Sequence, residues 1–231
     1  MFPEPVPGAG RLRDLPYVPL FLPIAVRAAV LYADCVIQPG TPIDPHFHAV
    51  RFYENEQSLY RIVADFIGDG LVAGQPAVII ATPVHGSEIA RELQALACDV
   101  GQLRTSGQLL MLDAHETLAT FMKDGNPDPV AFRHTVGGAL RRAAEGRPQA
   151  TVRAYGEMVD CLWKAEQVDA AIRLEMLWNQ LASTNAFSLL CGYCMGNFYK
   201  HGAYENICAH HTHVLSGDGQ MTRIGVADCP E

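Results

Sequence analysis

The sequence predicts an α/β protein, in which a mostly parallel sheet is flanked by helices on both faces to give three layers. Two observations support this class. Short continuous apolar runs such as Ala77–Ala81 alternate along the chain with segments whose apolar residues follow helical spacing. These runs are followed at once by helix-capping residues, as at Thr82 and Asp113. Strands that alternate with helices are typical of crossover connections, which join parallel strands.

The composition limits the possible partners. The chain has 231 residues, of which 49% are hydrophobic and 18% charged, and its formal net charge is −8. A negative protein has no general attraction for a phosphate backbone, so we expect no direct nucleic-acid partner. The seven cysteines lack regular spacing, which favours a reducing, cytoplasmic location over a disulfide framework. Proline and charged residues interrupt the most apolar early stretch, Val18–Ile37, so no membrane segment is predicted.

The first 45 residues are expected to form a proline-rich, irregular extension. They hold nine of the 15 prolines, and proline is poorly tolerated inside helices and central strands. Within them, Val26–Ile37 is either a short helix or edge strand packed on the domain, or a segment with no structural role. A domain then spans residues 46–215, and residues 216–231, rich in Gly, Asp and Pro, are expected to be a flexible tail.

The first half of the domain is predicted to hold two strand and helix pairs. Ala49–Tyr53 is the first strand, and Asn55 caps a helix that ends at Gly74. Ala77–Ala81 is the second strand. Thr82 and the proline after it then open a helix, because proline is favoured at the first helical position.

The second half continues in the same way. Leu109–Leu112 is a strand, and Asp113 with Glu116 has the spacing of a capping box. The remaining predicted elements are a helix after Asp113, a helix after the turn at residues 125–129, the strand Thr151–Tyr155 with a short helix, a longer helix that begins at Gln167 or Val168, the strand Phe187–Cys191, and a final helix within Gly196–His213.

Polar side chains follow the predicted strands where the strands end. Open α/β sheets bind ligands beyond the carboxyl ends of their strands, so we expect these side chains to line one rim of the sheet and form a small-molecule pocket. Each of them also has a structural explanation, as a helix cap, an exposed first-turn residue or a small core residue. The rim residues are Tyr53, Glu54, Thr82, His85, Asp113, His115, Tyr155, Glu157, Cys191 and Tyr193.

Two carboxylates stand among apolar neighbours, Glu157 directly after the central strand and Glu175 within the longer helix. Buried carboxylates need partners, which either an arginine or a ligand could supply. Asn179 offers an amide with both donors and acceptors close to Glu175. A structural salt bridge and a ligand contact are equally compatible with the sequence, and we include these three residues in the predicted ligand site.

The nine histidines and the cysteines raise the question of a metal site. His46-x-His48, Cys191-x-x-Cys194 and His210-His211-x-His213 contain residue types that ligate metals. A single CxxC pair without a second pair is a weak signal, and the terminal histidines fit a solvated helix turn equally well. The sequence therefore predicts neither a metal nor a cofactor.

The sequence lacks several motifs that would identify an enzyme. It contains no GxxxxGK phosphate loop, no G-x-G-x-x-G after a strand, no G-x-S-x-G and no HExxH. These absences argue against nucleotide hydrolysis, hydride transfer and acyl transfer by the usual routes. We therefore expect a protein that is not an enzyme.

An ordered series of segments resembles a known family, the MEDS domain, a methanogen/methylotroph sensory domain named partly for the repressor of dichloromethane-degradation genes. The similarity extends over about His46–Leu215. It includes the segments HAVRFYENEQSLYRIVADFIGDGLVAGQPAVIIATPVH, LLMLDAHETLATFMKDGNPDPVAFRHTVG, RAYGEMVDCLWKAEQVDAAIRLEMLWNQL and FSLLCGYCM.

The resemblance implies a RecA/KaiC-like fold that has lost the phosphate loop and serves to sense small molecules such as hydrocarbon derivatives. Relatives often carry a DNA-binding helix-turn-helix or a histidine kinase core, and this sequence contains neither pattern. The implied partners are a small-molecule ligand and a separate signalling protein, either a kinase or a transcription regulator, with self-association as a homodimer as another route. The resemblance assigns no ligand-binding residues.

Three functions are therefore compared. The first is a cytoplasmic sensory module that binds a small, largely apolar ligand at the strand ends and signals to a partner. The second is a small-molecule enzyme in which Glu157 acts with His85 or His115. The third is a metal-binding interaction domain built on the histidine-rich region near the C-terminus. The sequence favours the first.

Overall fold

An eight-stranded sheet forms the centre of the computed structural model, which describes residues 36–37, 47–147, 149–196, 204–215 and 221–224. The strand order is β1-β10-β9-β2-β8-β7-β3-β4, and a separate hairpin pairs β5 with β6. The strands are β1 (Val36–Ile37), β2 (His48–Tyr53), β3 (Ala77–Ala81), β4 (Leu109–Asp113), β5 (Met122–Lys123), β6 (Asn126–Pro127), β7 (Val152–Gly156), β8 (Phe187–Cys194), β9 (His213–Leu215) and β10 (Met221–Arg223).

Helices cover both faces of this sheet. The helices are α1 (Glu56–Val72), α2 (Pro83–Ala95), α3 (Val100–Thr105), α4 (Ala114–Phe121), α5 (Pro129–Ala144), α6 (Met158–Lys164), α7 (Val168–Ala182) and α8 (Tyr204–Cys208). Helices α1 to α3 bury their apolar side chains in one core, and helices α4 to α7 bury theirs in another. Strands β9, β2, β8, β7, β3 and β4 pair in parallel. The predicted three-layer, mostly parallel α/β class is confirmed.

The five predicted strands all form, and Ala77–Ala81 has the predicted bounds. Local capping explains why the helices begin where the sequence indicates. The side chain of Asn55 accepts a hydrogen bond from the Ser58 backbone N–H and caps α1. Asp113 accepts one from the Glu116 backbone N–H and caps α4. Strand β8 is longer than predicted and reaches Cys194, because the residues after Cys191 pair with the second half of β2.

Several short elements were not predicted. Helix α3 falls in a segment for which the sequence predicted no element, and β6 falls in the predicted turn at residues 125–129. The expected final helix within Gly196–His213 is corrected at its end, because His213–Leu215 instead pairs with β2; among the described residues of that range, Tyr204–Cys208 is an α-helix. Strand β1 pairs with β10, which lies where the sequence predicted no regular structure. Elements of two or three residues are too short to show a period, and pairing to a neighbouring strand decides their conformation. Residues 1–35 and 38–46, and with them most of the predicted proline-rich extension, lie outside the described residues.

None of the helices in the part of the chain that the structure describes is both long and apolar enough to cross a membrane.

Two glycines inside helices give a matched test of the packing between α1 and the sheet. A Cβ at Gly70 of α1 would lie 2.4 Å from Cγ of Arg153, whose guanidinium stacks on the Phe66 ring at 5.0 Å. A Cβ at Gly86 of α2 would find its nearest neighbour, Cε of Met111, at 3.7 Å. An added methyl group at Gly70 would therefore collide with Arg153, whereas one at Gly86 would fit.

We expect Gly70→Ala to lower the free energy of unfolding by roughly 1–3 kcal/mol, because the buried stem of Arg153 must move. Gly86→Ala should raise it by up to about 1 kcal/mol, because alanine has the higher helix propensity. Urea denaturation of both variants measures the difference. Equal free energies of unfolding for the two variants would show that the Arg153 side chain can move aside without loss of stability.

Candidate functional site

The carboxylate of Glu157 is buried where β7 meets α6, at the carboxyl edge of the sheet, with 3% of the residue exposed. Its Oε1 accepts a hydrogen bond from the backbone N–H of Thr82 at 2.9 Å. Its Oε2 lies 2.8 Å from Nδ1 of His85, in the first turn of α2. The Tyr155 hydroxyl donates to the same oxygen at 3.5 Å. An ionised carboxylate only accepts, so Nδ1 of His85 carries the proton.

The Glu157–His85 pair favours the charged form of each group. Burial by itself would raise the pKa of Glu157, but the hydrogen bonds from His85 and from the Thr82 backbone outweigh it and leave that pKa lowered. The hydrogen bond to Glu157 raises the pKa of His85 against the effect of burial. The pair therefore joins the start of α2, which follows β3, to the start of α6, which follows β7.

A second buried carboxylate, Asp160, lies one turn further along α6. Its Oδ2 accepts from the Tyr53 hydroxyl at 3.0 Å and lies 2.8 Å from Nζ of Lys164. Its Oδ1 accepts from the backbone N–H of Cys194 at 3.0 Å. Burial and then the charge of Asp160 raise the pKa of Tyr53, so its hydroxyl keeps its proton and donates. Asp160 therefore ties α6 to the last residues of both β2 and β8.

A cleft of about 330 Å³ opens beside this network, between α2 and the carboxyl ends of β3 and β4. Its lining combines apolar side chains with polar groups, as is typical of small-molecule sites. The apolar lining, which we call the floor, includes Ile79, Ala81 and Met111, and the polar lining, which we call the rim, includes Thr82, Arg104 and Asp113. Thr82 lines the cleft, and its backbone N–H also donates to Glu157. Thr82 therefore connects the cleft to the buried Glu157–His85 pair.

The structure brings together five of the predicted site residues, Tyr53, Thr82, His85, Tyr155 and Glu157, around the Glu157 and Asp160 networks. Asp113 is near them at the cleft rim, and Glu54 and His115 are exposed.

The remaining four, Glu175, Asn179, Cys191 and Tyr193, lie on the opposite face of the sheet, so the expectation of one continuous rim is corrected. Cys191 and Tyr193 belong to the core beneath α7, whereas Tyr155 belongs to the core beneath α1. Successive side chains of a strand point to opposite faces, and β8 continues past Cys191 instead of ending there.

Glu175, Cys191 and Tyr193 form a second buried polar cluster with two histidines, and the exposed Asn179 lies at its edge. The Tyr193 hydroxyl donates to Oε1 of Glu175 at 2.7 Å. Nε2 of His48 lies 3.3 Å from Oε2 of Glu175 and 3.4 Å from Sγ of Cys191. Nε2 of His211 lies 3.5 Å from Oε1 of Glu175. Imidazole, thiol and carboxylate groups at this separation are the donors that transition metals prefer in proteins.

Burial and charge set the protonation of this second cluster. Burial opposes ionisation of Glu175, yet the hydrogen bonds from His48 and Tyr193 leave its pKa lowered. Burial lowers the pKa of His211 to about 3, so its ring is neutral at neutral pH. Burial raises the pKa of the Cys191 thiol. The described structure therefore contains a fully buried carboxylate beside a neutral imidazole.

Sequence reasoning missed four residues of these networks. His48 and His211 were noted for their residue type, but their spacing along the chain gave no support for a site. Asp160 and Lys164 have the i, i+4 spacing of an ion pair, which the sequence shows but which usually marks an exposed helix face. Here Asp160 is buried and faces the sheet, which no local pattern indicates.

Comparisons with known proteins give a family match and similarities to solved structures. The profile of the family described as "MEDS: MEthanogen/methylotroph, DcmR Sensory domain" matches residues 47–211. Among solved structures, the chain is similar to the KaiC-like protein PH0186 from the hyperthermophilic archaeon Pyrococcus horikoshii OT3, with a TM-score of 0.48 and 12% identity, over 73% of this chain and 69% of that one. No curated protein matches the chain.

Proposed function

This chain belongs to the MEDS family of sensory domains, and from that premise we propose that it senses a small, largely apolar molecule that binds in the cleft between α2 and the ends of β3 and β4. The family makes it a sensory or signalling module. The observation that supports this ligand site is the cleft itself, with its apolar floor and polar rim at the carboxyl edge of a parallel sheet.

The cleft suits a small ligand in size and chemistry. Its volume of about 330 Å³ is near the lower end of the range for ligand pockets. Ile79, Ala81 and Met111 offer apolar contact, and Arg104 and Asp113 offer one cation and one carboxylate at the rim. A hydrocarbon derivative with one polar group would place its apolar part on this floor and its polar group at the rim.

The buried network provides a route from the cleft to the rest of the protein. A ligand against Thr82 and the first turn of α2 presses on the segment that Glu157 holds. Glu157 is the residue that precedes α6, so a shift of α2 is passed to α6, and through Asp160 to β2 and β8. We propose that this displacement changes a surface recognised by a separate signalling protein or by a second copy of the chain.

The proposed ligand site is tested by a substitution that fills the cleft. A phenyl ring at Gly86, which lines the cleft, would occupy the space that extends toward Met111. The probes are a panel of one- to four-carbon alcohols, aldehydes and halocarbons, screened for an increase in melting temperature, since a ligand that binds only the folded state stabilises it. For a compound that binds, we expect Gly86→Phe to weaken the affinity at least roughly tenfold, about 1.4 kcal/mol.

Gly86→Ala is the matched control, because its methyl group fits with no contact closer than 3.7 Å and leaves most of the cleft open. Its affinity should stay within about threefold of the wild type, a change of well under 1.4 kcal/mol. A compound that binds the phenylalanine variant as tightly as the wild type occupies another site, and the assignment of the cleft would then be abandoned.

A second candidate function is supported by the distance of 2.8 Å between Glu157 and His85. A carboxylate that orients a histidine is a recurring arrangement in acid–base catalysis. Here both oxygens of Glu157 already accept hydrogen bonds and His85 is buried, which favours a holding role. Recovering a bound probe unchanged after long incubation supports the sensor, whereas chemical conversion that is lost in His85→Gln supports the enzyme.

A further inference from the structure

The second buried cluster has the composition of a metal site. Its four donors come from separate parts of the fold: His48 from β2, Glu175 from α7, Cys191 from β8, and His211 from the segment between α8 and β9. One donor atom from each lies within 4.8 Å of the others, and all four residues are buried. They are on the opposite face of the sheet from the Tyr155 hydroxyl and the floor of the cleft.

The hydrogen bonds of the two histidines fix which nitrogen faces the centre. Nδ1 of His211 lies 2.7 Å from the carbonyl oxygen of Ile207, which can only accept, so this nitrogen carries the proton. Nδ1 of His48 lies 2.9 Å from Oδ1 of Asn179, and the same amide donates from Nδ2 to the carbonyl of His210. Both imidazoles therefore donate outward from Nδ1, as histidine ligands of metals almost always do.

The inward nitrogen of His211 is left with a lone pair that faces the lone pairs of a carboxylate oxygen. Nε2 of His211 is buried and has no hydrogen-bond partner among the described residues. The nearest oxygen of Glu175, at 3.5 Å, cannot donate to it when the carboxylate is ionised. A hydrogen-bonded pair of His48 with Glu175 would not supply this missing partner. A buried polar atom in this condition is costly, and a cation at the centre would satisfy it.

Three of the donor atoms are spaced like the edges of a tetrahedron around a metal ion. Bonds of about 2.0–2.3 Å at tetrahedral angles place neighbouring donor atoms roughly 3.3–3.7 Å apart. Nε2 of His48 lies 3.3 Å from Oε2 of Glu175 and 3.4 Å from Sγ of Cys191, and this sulfur lies 3.7 Å from the same oxygen. Nε2 of His211 lies 3.5 Å from the other carboxylate oxygen, Oε1 of Glu175, and the four donors lie within 4.8 Å of one another. Closing around an ion therefore requires His211 to move closer to the other three donors.

We propose that His48, Glu175, Cys191 and His211 bind one divalent transition metal ion, with zinc as the expected occupant. Two neutral imidazoles, a carboxylate and a thiolate together carry two negative charges, which balance the ion in a buried site. The thiol of Cys191 releases its proton to solvent when the metal binds. The sulfur donor and four-coordinate geometry favour zinc over the hard cations calcium and magnesium.

A site with four protein ligands has no open position, so the metal has a structural role. It joins the segment of His211 to β2, β8 and α7. Asn179, the Ile207 carbonyl and the Tyr193 hydroxyl hold the ligands in orientation from outside. The proposal does not depend on the cleft and adds a metal to a protein for which the sequence predicted none.

The test begins with the intact wild-type protein. We expect elemental analysis after gel filtration in a weak chelator to find about one zinc ion per chain. Protein stripped with a strong chelator should melt at a lower temperature and recover on addition of zinc. Reconstitution with cobalt(II) should give visible absorption of tetrahedral intensity and a thiolate charge-transfer band in the near ultraviolet. These measurements use only the wild-type protein, so they do not depend on whether a variant folds.

Variants identify the ligands. Cys191→Ser should abolish the cobalt charge-transfer band, and His211→Gln should reduce bound metal to less than about a tenth of the wild-type amount. Cys98→Ser and His134→Gln are matched controls, since Cys98 packs against the other core and His134 is exposed, and both should retain the metal. Wild-type protein that takes up neither zinc nor cobalt, or metal that persists in both ligand variants, would overturn the proposal.

Discussion

Replacing Glu157 by leucine is expected to lower the free energy of unfolding by roughly 3–5 kcal/mol, because it removes one partner of a buried ion pair. His85 and the Thr82 backbone N–H lose their acceptor in a position that water does not reach. For a chain of this size the loss corresponds to a fall in melting temperature of roughly 10 °C. Differential scanning calorimetry measures it directly.

The loss of stability caused by Glu157→Leu should depend on pH in a defined direction. The lowered pKa of Glu157 contributes stability that is present above its ordinary value of 4.5 and is lost as the pH falls through the lowered value. The raised pKa of His85 contributes stability that is present below 6.5 and is lost as the pH rises through the raised value. The difference between the wild type and the leucine variant should therefore be largest at about pH 4.5–6.5.

Glu157→Gln is the matched control, because it keeps the shape and one acceptor oxygen. It should be destabilised less than the leucine variant, and its stability should not follow the Glu157 titration at low pH. A leucine variant as stable as the wild type across this range would mean that the pair contributes no net stability, as some buried ion pairs do.

Replacing Asp160 by leucine is expected to have an effect of similar size, roughly 3–5 kcal/mol, because three groups lose the same partner. The Tyr53 hydroxyl and the Cys194 backbone N–H would be buried without an acceptor, and Lys164 would lose its counter-ion. Urea denaturation followed by tryptophan fluorescence reports the change, since Trp163 lies in the same helix and is buried.

Lys164→Met is the control for the charged part of this network. The side chain of Lys164 is 44% exposed, so its pair with Asp160 is partly screened by solvent and its loss should cost no more than about 1 kcal/mol. If the lysine variant were as unstable as Asp160→Leu, the ion pair and not the buried hydrogen bonds would hold α6 to the sheet.

The two carboxylates give α6 a central position in the proposed signalling. Glu157 precedes the helix and contacts the start of α2 beside the cleft. Asp160, three residues later, contacts the ends of β2 and β8. Both contacts are made by buried groups, and we propose that a shift at one end of α6 is passed to the other. Destabilised variants at either position that still fold should show weakened coupling between ligand binding and output.

The sequence by itself determined the fold class and the order of the main elements. Apolar runs such as Ala77–Ala81 and capping residues such as Asn55 and Asp113 act over a few neighbouring residues, so a local pattern carries the information. The same locality placed Glu157 at the end of a buried strand. Local sequence patterns did not predict β9 and β10, because a segment of three residues becomes a strand only when a neighbouring strand is present to pair with it.

Only the tertiary structure decided which polar groups meet. Tyr155 and Cys191 both follow apolar strand residues, but side-chain alternation and the register between β7 and β8 send them to opposite faces of the sheet. His48 and His211 are 163 positions apart in the sequence, and their rings lie 4.1 Å apart because β2 and β9 pair side by side. Pairing between distant segments sets these contacts and is not visible in the local spacing of residues, so only the folded chain shows that His48 and His211 meet.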